Sequence, residues 1–294
     1  MSDAWEGIFA VLQTPLTESG ELDPESMEKQ VGFCIECGAH GLVYPVLGGE
    51  FMYLTEGERA QFVEIVTRTA AGQVPVVAGV AGPVKEVAVL CTDAAVKAGA
   101  DAVVALPPNG GSPAEVRAYY EAIAATAGRP VFLQHTSGGL SAGFMRELFA
   151  EVEHIDYLKE EQQPSAHQIS AVLGEVTEDC LGVFGGGHGR WMLSEMRRGA
   201  NGFMPAAEAI DVHVQIWDAY QAGDERRARD IFNMLLPQIN LIMAINLTVC
   251  KEILVRRGIF KSAKMRIPGS AMMDAEDGRE LEMIMADLAP YFRV

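Results

Sequence analysis

Positive charge is scarce in this chain. Its 294 residues hold 23 Lys and Arg against 40 Asp and Glu, a formal net charge of −17 at pH 7. Nucleic acid and anionic membrane surfaces are bound through clustered Lys and Arg, so neither is an expected partner, and the acidic excess is assigned to solubility. Long apolar runs are missing too: no stretch approaches the ~18 apolar residues of a membrane helix. The N-terminus lacks the basic-then-apolar pattern of a secretory leader, and the expected compartment is the cytoplasm. Cysteine is limited to five positions. Cys34 and Cys37 form a C-x-x-C, but no second Cys/His pair at zinc-like spacing accompanies it. Both fall in a helical pattern with Val31 and Ile35, where cysteine packs as a small hydrophobe. The glycine run at 185–189 lacks the Lys-Ser/Thr of a phosphate loop. No linker or low-complexity stretch interrupts the chain.

What is present is alternation. Short apolar runs predict strands at 7–12, 41–46, 74–80, 101–106, 130–135, 154–161, 180–184 and 202–205. Between them, helical patterns run from the Asp23 cap and Pro24 to Gly38, from a Thr55/Glu58 capping box onward, and over 84–98, 113–127 and 144–152. A weak repeat supports the division: Gly38-Ala39, Gly99-Ala100 and Gly199-Ala200 each end a helix on a glycine suited to left-handed backbone, directly before a strand. Strands alternating with helices predict an α/β fold, a (β/α)8 TIM barrel over residues 1–220. Beyond Tyr220 the strand signal stops. Residues 224–257 and 277–288 carry apolar positions at three-to-four spacing, which predicts a C-terminal helical extension, residues 221–294, packed on the barrel.

In such a barrel the active site lies at the C-terminal ends of the strands. The residues there are Gly48-Gly49-Glu50, Pro107-Pro108-Asn109, Gln134-His135, Lys159-Glu160-Glu161 and the run from Gly185 to His188. At the two-residue strand period Tyr157, Lys159 and Glu161 share one face, and Leu158 and Glu160 the other. A lysine on the inner face loses water, which disfavours its charged form, and a neutral amine can attack a ketone to form a Schiff base. The plain alternative is a rim lysine in solvent, paired with Glu160 or Glu161. Glu161, about 7 Å along the strand, is the candidate proton shuttle, although its charge opposes neutralisation of the amine. Glycine pairs let backbone N–H groups approach an anion such as a 2-keto acid carboxylate; a plain turn is the alternative. His135 and His188 stand as acid/base candidates or as hydrogen-bonded structural residues.

These motifs together resemble the dihydrodipicolinate synthase / N-acetylneuraminate lyase family of Schiff-base lyases. The resemblance runs from residue 7 to about 290. It rests on Gly7-Ile8-Phe9 with Thr14-Pro15, on Gly-Gly-Glu at 48–50 followed by Tyr53-Leu54-Thr55, on Pro130-Val131-Phe132-Leu133, on Leu158-Lys159-Glu160, and on the C-terminal helices. It implies that Lys159 is the Schiff-base lysine, that the Leu47-Gly48 loop holds the keto-acid carboxylate, and that the protein is a homotetramer. Several positions depart from the family pattern. Gln134 stands for the active-site tyrosine and His135 for an asparagine. Leu47-Gly48 replaces a threonine pair, Asn109 a tyrosine that reaches the neighbouring subunit, and Gly139 an arginine. These departures argue against the lysine-biosynthesis reaction. The Lys159-x-Glu161 pattern resembles instead the branch that dehydrates L-2-keto-3-deoxyarabonate.

The expectation is therefore a lyase that forms a Schiff base with a 2-keto acid. Dehydration of a 2-keto-3-deoxy sugar acid stands ahead of pyruvate-dependent aldol cleavage. Lys159 and Glu161 are the catalytic candidates; Gly48, Gly49, Gln134, His135 and Gly186 are the substrate-binding ones. No metal or organic cofactor is expected, because the covalent imine through Lys159 is itself the electron sink. The rival from another class is a non-catalytic keto-acid-binding protein.

Overall fold

The computed structural model describes residues 4–136, 140–176 and 179–294; Gly139, set above against the family's arginine, lies outside them. Strands buried on both faces read as near-continuous apolar runs, and such runs, with the Lys159 segment among them, pair side by side in chain order into a closed parallel barrel. The strands are β1 (Gly7–Val11), β2 (Gly41–Tyr44), β3 (Val76–Gly79), β4 (Ala102–Ala105), β5 (Val131–His135), β6 (Ile155–Glu160), β7 (Gly182–Gly185) and β8 (Gly202–Phe203). Closure comes from β1 on β8, where Gly7 pairs with Gly202 and Ile8 with Phe203.

The helices around it are α1 (Pro24–Glu36), α2 (Glu56–Ala70), α3 (Lys85–Lys97), α4 (Pro113–Ala127), α5 (Ala142–Glu151), α6 (Ser165–Leu173), α7 (Met192–Met196) and α8 (Ile210–Gln221). Local chemistry sets their ends. Asp23 accepts from the Ser26 N–H before Pro24, and Thr55/Glu58 and Ser112/Glu115 form reciprocal capping boxes. The three helix-ending glycines of the repeat, Gly38, Gly99 and Gly199, have φ of 89°, 89° and 95°, the region that disfavours any side chain. Cys34 and Cys37 are buried at the end of α1, where burial pushes the Cys37 thiol up to about 12. They pack as hydrophobes.

Inside the barrel Phe9, Val11, Val43, Val77, Phe132, Tyr157 and Phe184 form one cluster, separate from the larger layer between sheet and helices. Trp5 closes the N-terminal end. Its ring stacks on Tyr157 at 5.5 Å between centroids, and its backbone N–H donates to the Tyr157 hydroxyl at 3.0 Å. Strand β6 carries an irregularity with a consequence for the site. Val131 pairs with Ile155, but Phe132 pairs with Tyr157, so Asp156 is an extra residue in β6. Ile155 faces the helices and Tyr157 the barrel interior. Unbroken alternation would put 155, 157 and 159 on one face. The bulge at Asp156 resets the alternation and turns Lys159 inward.

Past α8 the chain continues in helices α9 (Glu225–Ala244), α10 (Thr248–Arg256) and α11 (Ala275–Leu288). Two buried charge clusters join this region to the barrel. Lys251 of α10 donates to Glu50 Oε1 at 2.5 Å and to the Lys264 carbonyl at 2.7 Å, while the other Glu50 oxygen accepts the N–H groups of Arg266 and Ile267. Arg257 binds Asp211 of α8 at 2.6 Å, its guanidinium lying 4.5 Å from the Phe33 ring and 4.1 Å from that of Phe292.

Candidate active site

Lys159 lies at the C-terminal end of β6, two residues above the aromatic floor that Tyr157 and Phe132 make inside the barrel. Only 3% of the residue is exposed. Its strand partners are Gln134 on β5 and Phe184 on β7. The Nζ is 3.2 Å from Glu161 Oε2. That same oxygen accepts the Gln134 amide at 2.6 Å, and Oε1 accepts the Gly187 N–H at 3.1 Å. Burial pushes the Glu161 carboxyl up; the Lys159 ammonium, the Gln134 amide and the Gly187 N–H outweigh it and hold the group below the usual carboxylate range. Glu161 is thus an ionised carboxylate in contact with the amine.

Gly186 explains how the carboxylate fits. A Cβ at 186 would lie 2.3 Å from Glu161 Oε1, so a side chain there would displace the carboxylate from this position. Gly186 therefore makes room for Glu161. Gln134 joins the same group. His135 does not: it points the other way from β5, with Nδ1 2.9 Å from Glu160 Oε2, both side chains buried. His135 and Thr136 line a cavity of about 600 Å³ shared with Leu47, Phe51, Leu106 and Asn109, and Lys159 is not part of its wall. Gly48 sits over the inner face of β1, where a Cβ would meet Val11 Cγ1 at 2.9 Å. Gly49 is held from below by the Thr14 hydroxyl on its carbonyl, 2.6 Å. Glu50, next in the motif, is committed to Lys251 and is no part of this group.

His188 follows Gly187 in left-handed backbone, φ 58°. Burial, reinforced by His213 and Lys159 and opposed by Glu161, pushes its imidazole down to about 4. It is neutral near pH 7. One group escaped the sequence reading. Glu195 of α7 is 1% exposed, accepts the Ser165 hydroxyl, and would lie 2.5 Å from a Cβ on Gly185. Burial, with Glu160 and Glu161 adding, raises it to about 7 despite Ser165. The signal was a lone carboxylate in the run from Trp191 to Met196, a stretch too short to show helical periodicity.

A buried amine against an ionised carboxylate, at the open end of a barrel, is equipped for attack on a carbonyl with the proton handed to the neighbouring oxygen. Comparison with known proteins agrees with this architecture. Residues 4–287 match the profile of the Dihydrodipicolinate synthetase family. The chain is 26% identical over 242 residues to the L-2-keto-3-deoxyarabonate dehydratase of Azospirillum brasilense, covering 80% of this chain and 78% of that one. It is 28% identical over 285 residues to the 4-hydroxy-tetrahydrodipicolinate synthase of Maridesulfovibrio salexigens, covering 94% and 96%. Among solved structures, the dihydrodipicolinate synthase of Rhodopseudomonas palustris superposes with a TM-score of 0.90 at 24% identity, over 98% of this chain and 99% of that one; this likeness carries the fold.

Proposed function

The chain belongs to the dihydrodipicolinate synthetase family of lyases, and from that premise we propose that it dehydrates a 2-keto-3-deoxy sugar acid through an imine on Lys159. The observation that carries the proposal is the 3.2 Å contact between Lys159 Nζ and Glu161 Oε2, with Gln134 bound to that carboxylate at the position where the family resemblance sets a tyrosine.

In this reading the Lys159 amine adds to the C2 ketone, the carbinolamine expels water, and the protonated imine acidifies C3–H. Glu161 removes that proton to give the enamine. The enamine then expels the C4 hydroxyl, which leaves as water with the proton that Glu161 has just taken, and hydrolysis of the imine restores Lys159. One carboxylate serves both proton steps. An aldolase would instead take the proton of the C4 hydroxyl and break C3–C4. Gly48 is assigned to the substrate carboxylate; Gly49, expected beside it, already donates its N–H to the Val46 carbonyl at 2.8 Å and is left to shape the turn. Gln134 is assigned to the substrate's hydroxyls and to orienting Glu161; His135, expected to share that role, is turned to Glu160 and to a cavity that Lys159 does not line, and takes no step at the imine. Among the described residues no helix is long and apolar enough to cross a membrane, and we assign the enzyme to the cytoplasm. A homotetramer is proposed from the resemblance and from the exposed Leu47, Met52 and Tyr53 beside the cavity.

The test is intact-mass spectrometry after borohydride reduction, with pyruvate and with a panel of 2-keto-3-deoxy pentonates and hexonates. An adduct on Lys159 lighter by one water than the reduced imine of the intact substrate supports dehydration. A pyruvate-sized adduct from a longer substrate would mean carbon–carbon cleavage. No adduct with any 2-keto acid would overturn the imine and leave a binding protein.

A further inference from the structure

The loop after β7, the turn into α8, and helices α9 and α10 converge on side chains that the mechanism leaves unused. A ring nitrogen of His188, a carboxylate oxygen of Glu208 and the Cys250 sulfur lie within 4.8 Å of one another. Glu208 is 1% exposed and Cys250 is fully buried. Gln238, also fully buried, reaches the edge of the group, its Nε2 3.4 Å from Glu208 Oε1. Three buried polar atoms here lack a nitrogen or oxygen partner among the described residues, His188 Nδ1, Glu208 Oε2 and Gln238 Oε1, and the Cys250 thiol hydrogen-bonds the Glu208 carboxyl. Buried polar groups are rarely left unpaired. Three at one spot, next to a thiol, call for a ligand that accepts lone pairs.

We propose that His188, Glu208 and Cys250 form a buried site for one divalent transition-metal ion of the zinc class. Imidazole, thiolate and carboxylate are a mixed set that suits such an ion; magnesium and calcium prefer oxygen alone. With bonds of about 2.0–2.3 Å to nitrogen, oxygen and sulfur, tetrahedral ligand atoms sit roughly 3.3–3.6 Å apart, so closure from the separations found here needs only side-chain movement. The fourth position falls to the Gln238 amide oxygen, itself without a hydrogen-bond partner among the described residues, or to water.

Carboxylate and thiolate bind such an ion in their deprotonated forms, so binding releases protons and tightens as pH rises. The ion would tie α9 and α10 to the β7 loop. Gly187, whose N–H holds Glu161, is the neighbour of His188, so the site braces the turn behind the candidate base. This inference stands on its own residues and does not depend on the imine.

The test uses the full-length protein, stripped with a chelator and titrated with Co²⁺, then Zn²⁺. Expected are one cobalt per chain, tetrahedral d–d bands with thiolate-to-cobalt charge transfer, their loss on adding zinc, and a higher Tm. Cys250→Ser should remove the charge-transfer band and weaken affinity by more than ~100-fold, beyond the usual effect of outer partners, whereas Lys159→Ala and Cys91→Ala should keep both. Far-UV circular dichroism reports whether Cys250→Ser folds, and Glu208→Gln is the second variant, expected to weaken affinity while the thiol stays. No charge-transfer band in the folded wild-type protein, or a band that survives Cys250→Ser, overturns the site. A wild type that binds no cobalt would identify the cluster as a hydrogen-bonded group around buried water.

Discussion

Lys159 and Glu161 are two residues apart in the chain and 3.2 Å apart at their charged ends, and a residue belonging to neither makes this possible. Asp156 is the extra residue of β6, and without it the strand's alternation would carry Lys159 toward the helices. The register inherited from the bulge directs the amine inward, and Gly186 leaves the space into which the Glu161 carboxylate folds back.

The division of labour between the two predicts separable losses. Lys159→Ala should abolish both turnover and the borohydride adduct. Glu161→Gln should keep adduct formation while the dehydration rate falls by about 10²–10⁴, the range for a positioned acid/base group. Single-turnover kinetics beside intact mass measures both. Undiminished dehydration in Glu161→Gln would remove the carboxylate from the mechanism.

Gly186→Ala should mimic Glu161→Gln, because the new methyl would occupy the space of the carboxylate oxygen 2.3 Å away. Gly143→Ala, in open space on α5, is the control and should leave turnover unchanged. Equal activity of the two variants would show that Glu161 has another resting place.

Lys251→Met leaves Glu50 as a buried charge without its cation. Breaking such a pair costs about 3–5 kcal/mol, and urea unfolding should show a free energy of unfolding lower by that amount, with the midpoint lowered accordingly. Replacing both residues with apolar ones of similar volume should recover much of the loss. A midpoint within error of wild type for Lys251→Met would count the pair as unimportant.

Glu195 makes stability depend on pH. Its carboxyl titrates near 7 in the folded protein and near 4.5 as a free group, so between those values the folded chain holds a proton that the unfolded chain has released. Its contribution is present below about pH 4.5 and is lost as pH rises to 7, by up to about 3 kcal/mol. Glu195→Gln should flatten that part of the stability profile, read by urea unfolding at fixed pH values. A profile with the same slope in the variant would assign the dependence to other groups.

Most strands were legible because parallel strands buried on both faces read as near-continuous apolar runs, and the helices α1 to α5 because a cap or a glycine marks at least one end of each. Helices α6 to α8 went unpredicted: α6 follows Pro164, which offers no side-chain cap, and α7 has five residues. The pairing of Lys159 with Glu161 follows from the strand period. The inward direction of Lys159 does not, because the bulge exists only against β5. Gln134 and His135, neighbours read as one pair, are divided between Glu161 and Glu160, since adjacent strand residues face opposite sides. Glu50 reads as part of a ligand loop, yet its partner lies 201 residues away. Separation in sequence also hides His188, Glu208 and Cys250, whose ligand chemistry has no local spacing to betray it.

The Glu50–Lys251 and Asp211–Arg257 pairs also bear on how this chain comes apart. Residue 220 is where the pattern of the sequence changes, but a chain cut there would keep two buried acids and discard the cations that neutralise them. Barrel and helices then form one cooperative unit. Hydrogen exchange should find the C-terminal helices opening together with the strands that carry the site, so that fraying of the tail and loss of the active centre are a single event.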